Sequence, residues 1–202
     1  MKKILFLLLL VFIGAILTAQ GLELKAGPAY KYYGISADTG VVELGLGYHS
    51  IGLDVGAVYA FTSQWELGGD FFWGVPVFGN GSMSDGSEEV LDLSTYDFYR
   101  YFLHFSVGPS YRWEKDDWTL SLGPFLASDN LVLVTSEDDP SYILSYTLGL
   151  GMGSSFRYYW EHWGCYADLK GSWNFAEILI EHDDFENAWG GELSLGLIWR
   201  MN

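Results

Sequence analysis

Residues 142–153, YILSYTLGLGMG, alternate large apolar side chains with small or polar ones. Tyr142, Leu144 and Leu148 fall in one register, whereas Ser145 and Gly149 fall in the other. Successive side chains of a β-strand point to opposite faces, so this period of two predicts a strand with one bulky and one small face. A row of Gly and Ser fits the interior of a narrow barrel, while a coat of Leu and aromatic side chains fits lipid.

The same period of two recurs along most of the chain. The strands that it predicts are 21–34, 41–61, 65–77, 96–113, 117–128, 141–160, 163–176 and 188–202. Residues 41–61 change phase near His49-Ser50, and a β-bulge at that point keeps them in one strand instead of two. An even number of strands places both chain ends on the same side, as in bacterial single-chain barrels. The predicted fold class is all-β, an eight-stranded antiparallel transmembrane β-barrel.

The connections between these strands alternate in length. Residues 62–64, 114–116 and 161–162 are predicted to be tight turns. Residues 78–95, 129–140 and 177–187 are predicted to be long loops. Outer-membrane barrels have short periplasmic turns and long extracellular loops, so the long connections are expected outside the cell. A soluble, lipocalin-like barrel with its apolar face inside is the alternative fold.

Three prolines lie within predicted strands, at Pro28, Pro109 and Pro124. Each proline removes one hydrogen-bond donor from the ladder between strands. We therefore expect a local bulge at each of these positions.

The N-terminal 20 residues have the order of a secretory signal peptide. Lys2 and Lys3 precede an apolar run from Ile4 to Leu17, and small or polar residues follow it. This run is shorter than the roughly 20 residues that a membrane-spanning helix needs, although a membrane anchor is the alternative. The chain is therefore divided into a signal peptide, 1–20, and an outer-membrane β-barrel, 21–202.

Aromatic residues crowd the tight-turn end of the predicted strands. Trp and Tyr favour the membrane–water interface because an apolar ring and a polar tip suit that layer. The residues expected to form this aromatic girdle are Tyr59, Trp65, Tyr111, Trp113, Trp118, Tyr158, Trp160, Trp163 and Trp199.

Charged residues of the strands fall on the inward face. Seven Lys and Arg meet seven Asp and Glu there. The fourteen residues are Glu23, Lys25, Lys31, Glu43, Asp54, Glu66, Asp70, Arg100, Arg112, Arg157, Asp168, Lys170, Glu192 and Arg200. An unpaired charge is costly in a narrow lumen that excludes most water, so these residues are predicted to form ion pairs.

The outer loops are acidic and contain no Lys or Arg, in a chain of formal net charge −16. Nucleic acid is therefore excluded as a partner. An extracellular ligand or a divalent cation is the kind of partner that such loops would take, although their spacing matches no EF-hand. The simpler alternative is a solvated surface that keeps the protein from sticking.

Two short segments, Gly27-Pro28-Ala29-Tyr30 and Gly108-Pro109-Ser110-Tyr111, are similar to the Gly-Pro-x-Tyr segments common in porin-like barrel families. Together with the signal peptide and the eight alternating strands, they make the chain resemble small outer-membrane barrels of the OmpX type and the OmpA transmembrane domain. The resemblance implies a location in the bacterial outer membrane, with outer-membrane lipid and the barrel assembly machinery as partners. The chain departs from the pattern where Trp199-Arg200-Met201-Asn202 replaces the usual terminal aromatic residue.

His104 and Ser106 are the candidates for catalysis, because they lie two apart and share one face of a strand. They resemble the His-x-Ser pair of outer-membrane lipid A deacylases, but Val107 stands where those enzymes have Asn. The pair also faces the predicted lumen rather than lipid, so a hydrogen-bonded structural role is favoured. We expect no enzymatic activity, no metal site and no cofactor.

Three functions follow as hypotheses. The leading one is a structural or surface-interaction role, in adhesion or ligand binding, through the acidic extracellular loops. A narrow channel for small solutes is the second, suggested by inward glycines and charges, although eight strands leave room only for side chains. Modification of lipid A is the third.

Overall fold

The computed structural model describes residues 21–38, 43–83, 88–91, 99–134, 142–177 and 185–201. The signal peptide predicted for residues 1–20 lies outside these ranges. The strands are β1 Leu22–Asp38, β2 Glu43–Ala60, β3 Trp65–Met83, β4 Glu88–Leu91, β5 Tyr99–Lys115, β6 Trp118–Val134, β7 Tyr142–Trp160, β8 Trp163–Glu177 and β9 Phe185–Arg200. None of the described residues forms a helix long and apolar enough to cross a bilayer.

Eight long strands form a closed antiparallel barrel, which confirms the predicted fold class. Closure occurs between the first and last strands, where Glu23 pairs with Arg200 and Tyr30 pairs with Leu193. The ninth strand, β4, is a short addition that pairs with β3 alone among the described residues.

The connections between strands are shorter than the predicted loops 78–95, 129–140 and 177–187. β3 continues to Met83, β6 to Val134, and β9 already begins at Phe185. Residues 88–91, expected in a loop, form β4. The strands continue because their backbone groups find partners in neighbouring strands beyond the point where the alternating pattern fades.

Residues 43–60 form one strand, as predicted, but the expected bulge was assigned to the wrong chain segment. His49 pairs with Phe78 and Ser50 pairs with Pro76, so the extra residue is Val77 of β3. Within β2, Tyr48 and Ser50 are both buried. The same register of β2 therefore faces the lumen on both sides of His49. Only the polarity of the inward side chains changes there.

The prolines interrupt their ladders without the expected bulges. Pairing of β1 with β9 skips Gly27-Pro28 and resumes in the same register at Ala29. Pairing of β5 with β6 skips Gly108–Ser110 and also resumes in the same register. A missing N–H thus removes hydrogen bonds locally but does not shift the strands.

The exterior of the barrel is apolar. Leu148 is 43% exposed and Leu195 is 51% exposed, and both belong to a coat of Leu, Trp, Phe and Val side chains. The inward face carries the buried Lys, Arg, Asp, Glu and Ser residues. This arrangement rules out the lipocalin-like alternative, which needs the opposite distribution.

Candidate functional site: the lumen and the two rims

The inner end of the lumen, next to the tight turns, is organised around Arg157. Its guanidinium donates to Glu23 Oε2 at 2.6 Å and to the two carboxylate oxygens of Glu66 at 2.6 and 2.7 Å. It also donates to Ser121 Oγ. Arg200 donates through Nε to Glu23 Oε1 at 3.1 Å, which extends the cluster towards the rim. Two-oxygen contacts of this kind hold an Arg side chain in one geometry.

At the rim itself, Glu114 is shared by two arginines. Its Oε2 lies 2.7 Å from Arg112 Nη2, and its Oε1 lies 3.3 Å from Arg200 Nη2. The Arg200 guanidinium also lies over the ring of Tyr159, 3.8 Å from its centroid. Glu114 was expected in a turn, so this partner of Arg112 was not predicted.

The middle of the lumen is a chain of alternating charges. Lys25 lies between Asp168 and Asp70, with an Nζ–Oδ1 distance of 2.7 Å to Asp70. Lys170 lies 2.9 Å from Asp70 Oδ2 and 2.9 Å from Glu192 Oε1. All five side chains are at most 10% exposed, so the pairs are largely removed from water.

The chain of charges continues to Asp129. Lys31 lies 3.5 Å from Glu192 Oε2 and 3.2 Å from Asp129 Oδ1. His104 Nδ1 lies 2.8 Å from Asp129 Oδ1, and Asn174 donates to Asp129 Oδ2 at 2.7 Å. Sequence reasoning missed Asp129 because it was placed in a loop, and it missed Asn174 although that residue shares the inward register of Asp168 and Lys170.

Towards the loop end, the interior changes from charged to apolar. A cluster of buried side chains, which we call the outer plug, fills it; its members are Ala29, Tyr33, Tyr48, Phe72, Phe102, Leu131, Leu133 and Ala188. Tyr33 stacks at a tilt on Phe102, with ring centroids 5.1 Å apart. Its hydroxyl lies 3.0 Å from Ser145 Oγ and from Thr147 Oγ1, which joins the plug to the polar layer below.

A cavity lies between the Arg157 cluster and the chain of charges. One wall is made of small residues that include Ser106, Ser121 and Gly153, and the other carries Lys25 and Asp168. Small residues on β5, β6 and β7 leave this space, and Phe125 of β6 also lines it.

Twelve of the fourteen predicted lumen residues lie in the networks described above or next to them. Asp54 is one of these, and it is fully buried but forms no ion pair with a described residue. Arg100 is half-buried on β5 near the loop end. Glu43 lies in β2, and its side chain is outside the described part of the structure.

The expected girdle residues lie at the tight-turn end of the barrel. Tyr59, Trp65, Trp113, Tyr158, Trp160, Trp163 and Trp199 are exposed, and Tyr111 and Trp118 are half-buried. A second exposed aromatic band, which the sequence reasoning missed, lies towards the loop end; it includes Trp73, Phe78, Trp173, Phe175 and Trp189.

His104 and Ser106 do not act as a pair. Both are buried, but His104 contacts Asp129, whereas Ser106 donates to Asp70 Oδ2 at 3.5 Å. A nucleophile needs its base within hydrogen-bond reach and a substrate that can approach. In the described part of the structure both side chains lie in the lumen and not on the apolar exterior.

Two solved structures of bacterial proteins have a similar fold. Neisserial surface protein A matches with a TM-score of 0.55 and 15% identity, over 90% of this chain and 98% of that one. Ail, the attachment invasion locus protein of Yersinia pestis, matches in its complex with the heparin analogue sucrose octasulfate, with a TM-score of 0.51 and 13% identity over 90% of this chain and 100% of that one. No protein-family model matches the sequence, and no curated protein gives a significant match. The chain thus has the fold of small outer-membrane barrels, as the sequence resemblance implied.

Proposed function

We propose that the protein is an integral outer-membrane barrel that acts at the cell surface, where its acidic outer segments bind an extracellular partner. The observation that carries the proposal is the closed lumen. The ion networks and the outer plug together occupy the interior, so transport has no path through the described residues. The segments that connect the strands beyond the plug are then the part of the molecule left to meet a partner.

The spacing of the two aromatic bands supports the position in the membrane. Trp163 and Trp173 are ten residues apart on β8 and are both exposed. At about 3.3 Å per residue this is roughly 33 Å along the strand, and a tilt of about 40° reduces it to a height of about 25 Å. That height is the thickness of the apolar band of an outer-membrane barrel.

Charge indicates the chemistry of the partner. The connecting segments 84–87, 92–98, 135–141 and 178–184 contain Asp and Glu but no Lys or Arg. A polyanion such as the heparin analogue in the Ail complex would be repelled by this composition. A basic peptide or protein surface has the complementary charge, so we propose a basic protein partner.

The test is binding by the purified barrel in nanodiscs of zwitterionic lipid to an immobilised lysine-rich peptide and to immobilised heparin. We expect salt-sensitive binding to the peptide and none to heparin. Neutralising Glu137, Asp138, Asp139, Asp183 and Asp184 as Gln or Asn should weaken peptide binding at least tenfold, because long-range attraction is lost.

The matched control neutralises three exposed acids at the opposite rim, Asp116, Asp117 and Glu161. This variant should bind the peptide as the wild type does. Equal loss in both variants, or heparin binding by the wild type, contradicts the proposal.

A further inference from the structure

The middle of the lumen holds more negative than positive charge. The connected carboxylates are Asp70, Asp129, Asp168 and Glu192, and the connected lysines are Lys25, Lys31 and Lys170. Asp54 adds a fifth carboxylate beside them. Three ammonium groups therefore face five carboxylates, and His104, between Asp129 and Glu192, supplies at most one further positive charge.

Asp54 is the carboxylate that this arrangement leaves over. It is fully buried and forms no ion pair with any residue in the described ranges. Its Oδ2 accepts a long hydrogen bond of 3.4 Å from Tyr166, while its Oδ1 has no hydrogen-bond partner there. A buried carboxylate without compensation is strongly unfavourable, so Asp54 must either carry a proton or have a further cation beside it.

We propose that Asp54, Asp70 and Asp168 bind one small hard cation inside the barrel. Their carboxylates each offer an oxygen, and these oxygens lie within 4.8 Å of one another. An ion about 2.4 Å from its oxygens, as for Ca²⁺, can bridge a pair of oxygens up to about 4.8 Å apart. Asp168 Oδ1 is a second buried oxygen without a hydrogen-bond partner, and it belongs to the same cluster.

The neighbouring cavity supplies the rest of the coordination. Asp70 and Asp168 line it together with hydroxyl-bearing residues such as Ser106 and Ser121. Water molecules held there can complete the shell of a cation that three carboxylates bind on one side. A divalent cation such as Ca²⁺ matches the difference between five carboxylates and three ammonium groups.

The experiment compares the wild type with Asp54→Asn, and with Asp117→Asn as an exposed control at a tight turn. Bound calcium per chain is measured after equilibrium dialysis. The unfolding temperature is measured by heat-modifiable gel mobility in Ca²⁺ against chelator, and in NaCl against choline chloride. The acidic outer segments are identical in all three proteins, so cations bound there contribute equally.

We expect the wild type and Asp117→Asn to unfold at a higher temperature with Ca²⁺ or Na⁺ than without it. Asp54→Asn should bind one equivalent fewer and respond less. In chelator it should be at least as stable as the wild type, because it lacks the uncompensated charge. Equal cation binding and equal response in the wild type and Asp54→Asn overturn the proposal. So does a wild type without any cation response, since a proton would then neutralise Asp54.

A wild-type crystal grown with Ca²⁺ gives a test that does not depend on folding of the variant. An anomalous peak within coordination distance of Asp54 and Asp168 supports the site. Peaks confined to the outer segments overturn it.

Discussion

Arg157 is the residue on which the inner end of the lumen depends most. It is fully buried and is the shared donor to Glu23 and Glu66, which come from strands far apart in sequence. Both carboxylates are almost completely shielded from solvent. The contribution of Arg157 to stability is therefore mainly the cost that would arise if a buried carboxylate lost its positively charged partner.

Replacing Arg157 with Met should lower the free energy of unfolding by about 3–5 kcal/mol, because it leaves the buried Glu66 without its ion-pair partner and Glu23 with Arg200 alone. Denaturant titration of the barrel in lipid vesicles measures this. Lys115→Met, at an exposed position beside a tight turn, should change the value by no more than about 0.5 kcal/mol. Similar effects of the two substitutions would show that Arg157 is not the organising residue.

The inward charges were predictable because a strand has only two faces and an unpaired charge is excluded from the outer one. For Lys25, Asp168 and Lys170, the register of the strand was enough to predict that the side chain faces the lumen. Asp129 was missed for a different reason, since its burial depends on how far β6 continues beyond the alternating pattern. The pairing of one side chain with another across the lumen depends on the curvature of the barrel, which the residue pattern does not contain.

Two tight turns between strands share one backbone feature. Lys115 pairs with Trp118 and Trp160 pairs with Trp163, so each turn has two central residues. The first central residue has a positive φ in both, 52° at Asp116 and 62° at Glu161. This is the position that favours glycine in a type II′ hairpin turn.

Glu161→Gly should therefore stabilise the barrel, by up to about 1 kcal/mol, because relief of backbone strain exceeds the entropy that Gly gains in the unfolded chain. His162→Gly is the matched control, since its φ is not among the positive ones. It should destabilise by about 0.5–1 kcal/mol through entropy alone. Unfolding titrations of both variants check the sign, and a loss of stability in Glu161→Gly would contradict this reading of the turn.

At the scale of elements, the alternation of side chains in the sequence predicts some features of the strands correctly and others wrongly. The turn at 161–162 lies where the pattern predicted it, whereas the turn predicted at 114–116 lies at 116–117, because Glu114 and Lys115 still pair with β6. The bulge was assigned to the wrong strand, because Leu46 and Tyr48 were taken as lipid-facing. Those residues instead face the outer plug, so an inward apolar residue and an outward one give the same sequence signal.

The whole barrel is closed twice along its axis, by charge in the middle and by apolar packing towards the loops. We expect planar bilayers containing the wild type to show no single-channel steps above baseline. Phe102→Ala should be silent as well, because the chain from Asp168 to Asp129 still closes the lumen below it. A porin in the same bilayer serves as the positive control, and unitary steps from the wild type would contradict the closed interior.

The ion pairs also join the two ends of the chain, since Glu23 and Lys31 of β1 meet Arg200 and Glu192 of β9. These partners can meet only after every intervening hairpin has been added. A half-inserted sheet would hold unmatched charges against hydrocarbon, whereas the completed cylinder holds none of these four alone. The pairing of β1 with β9 should consequently form last during biogenesis.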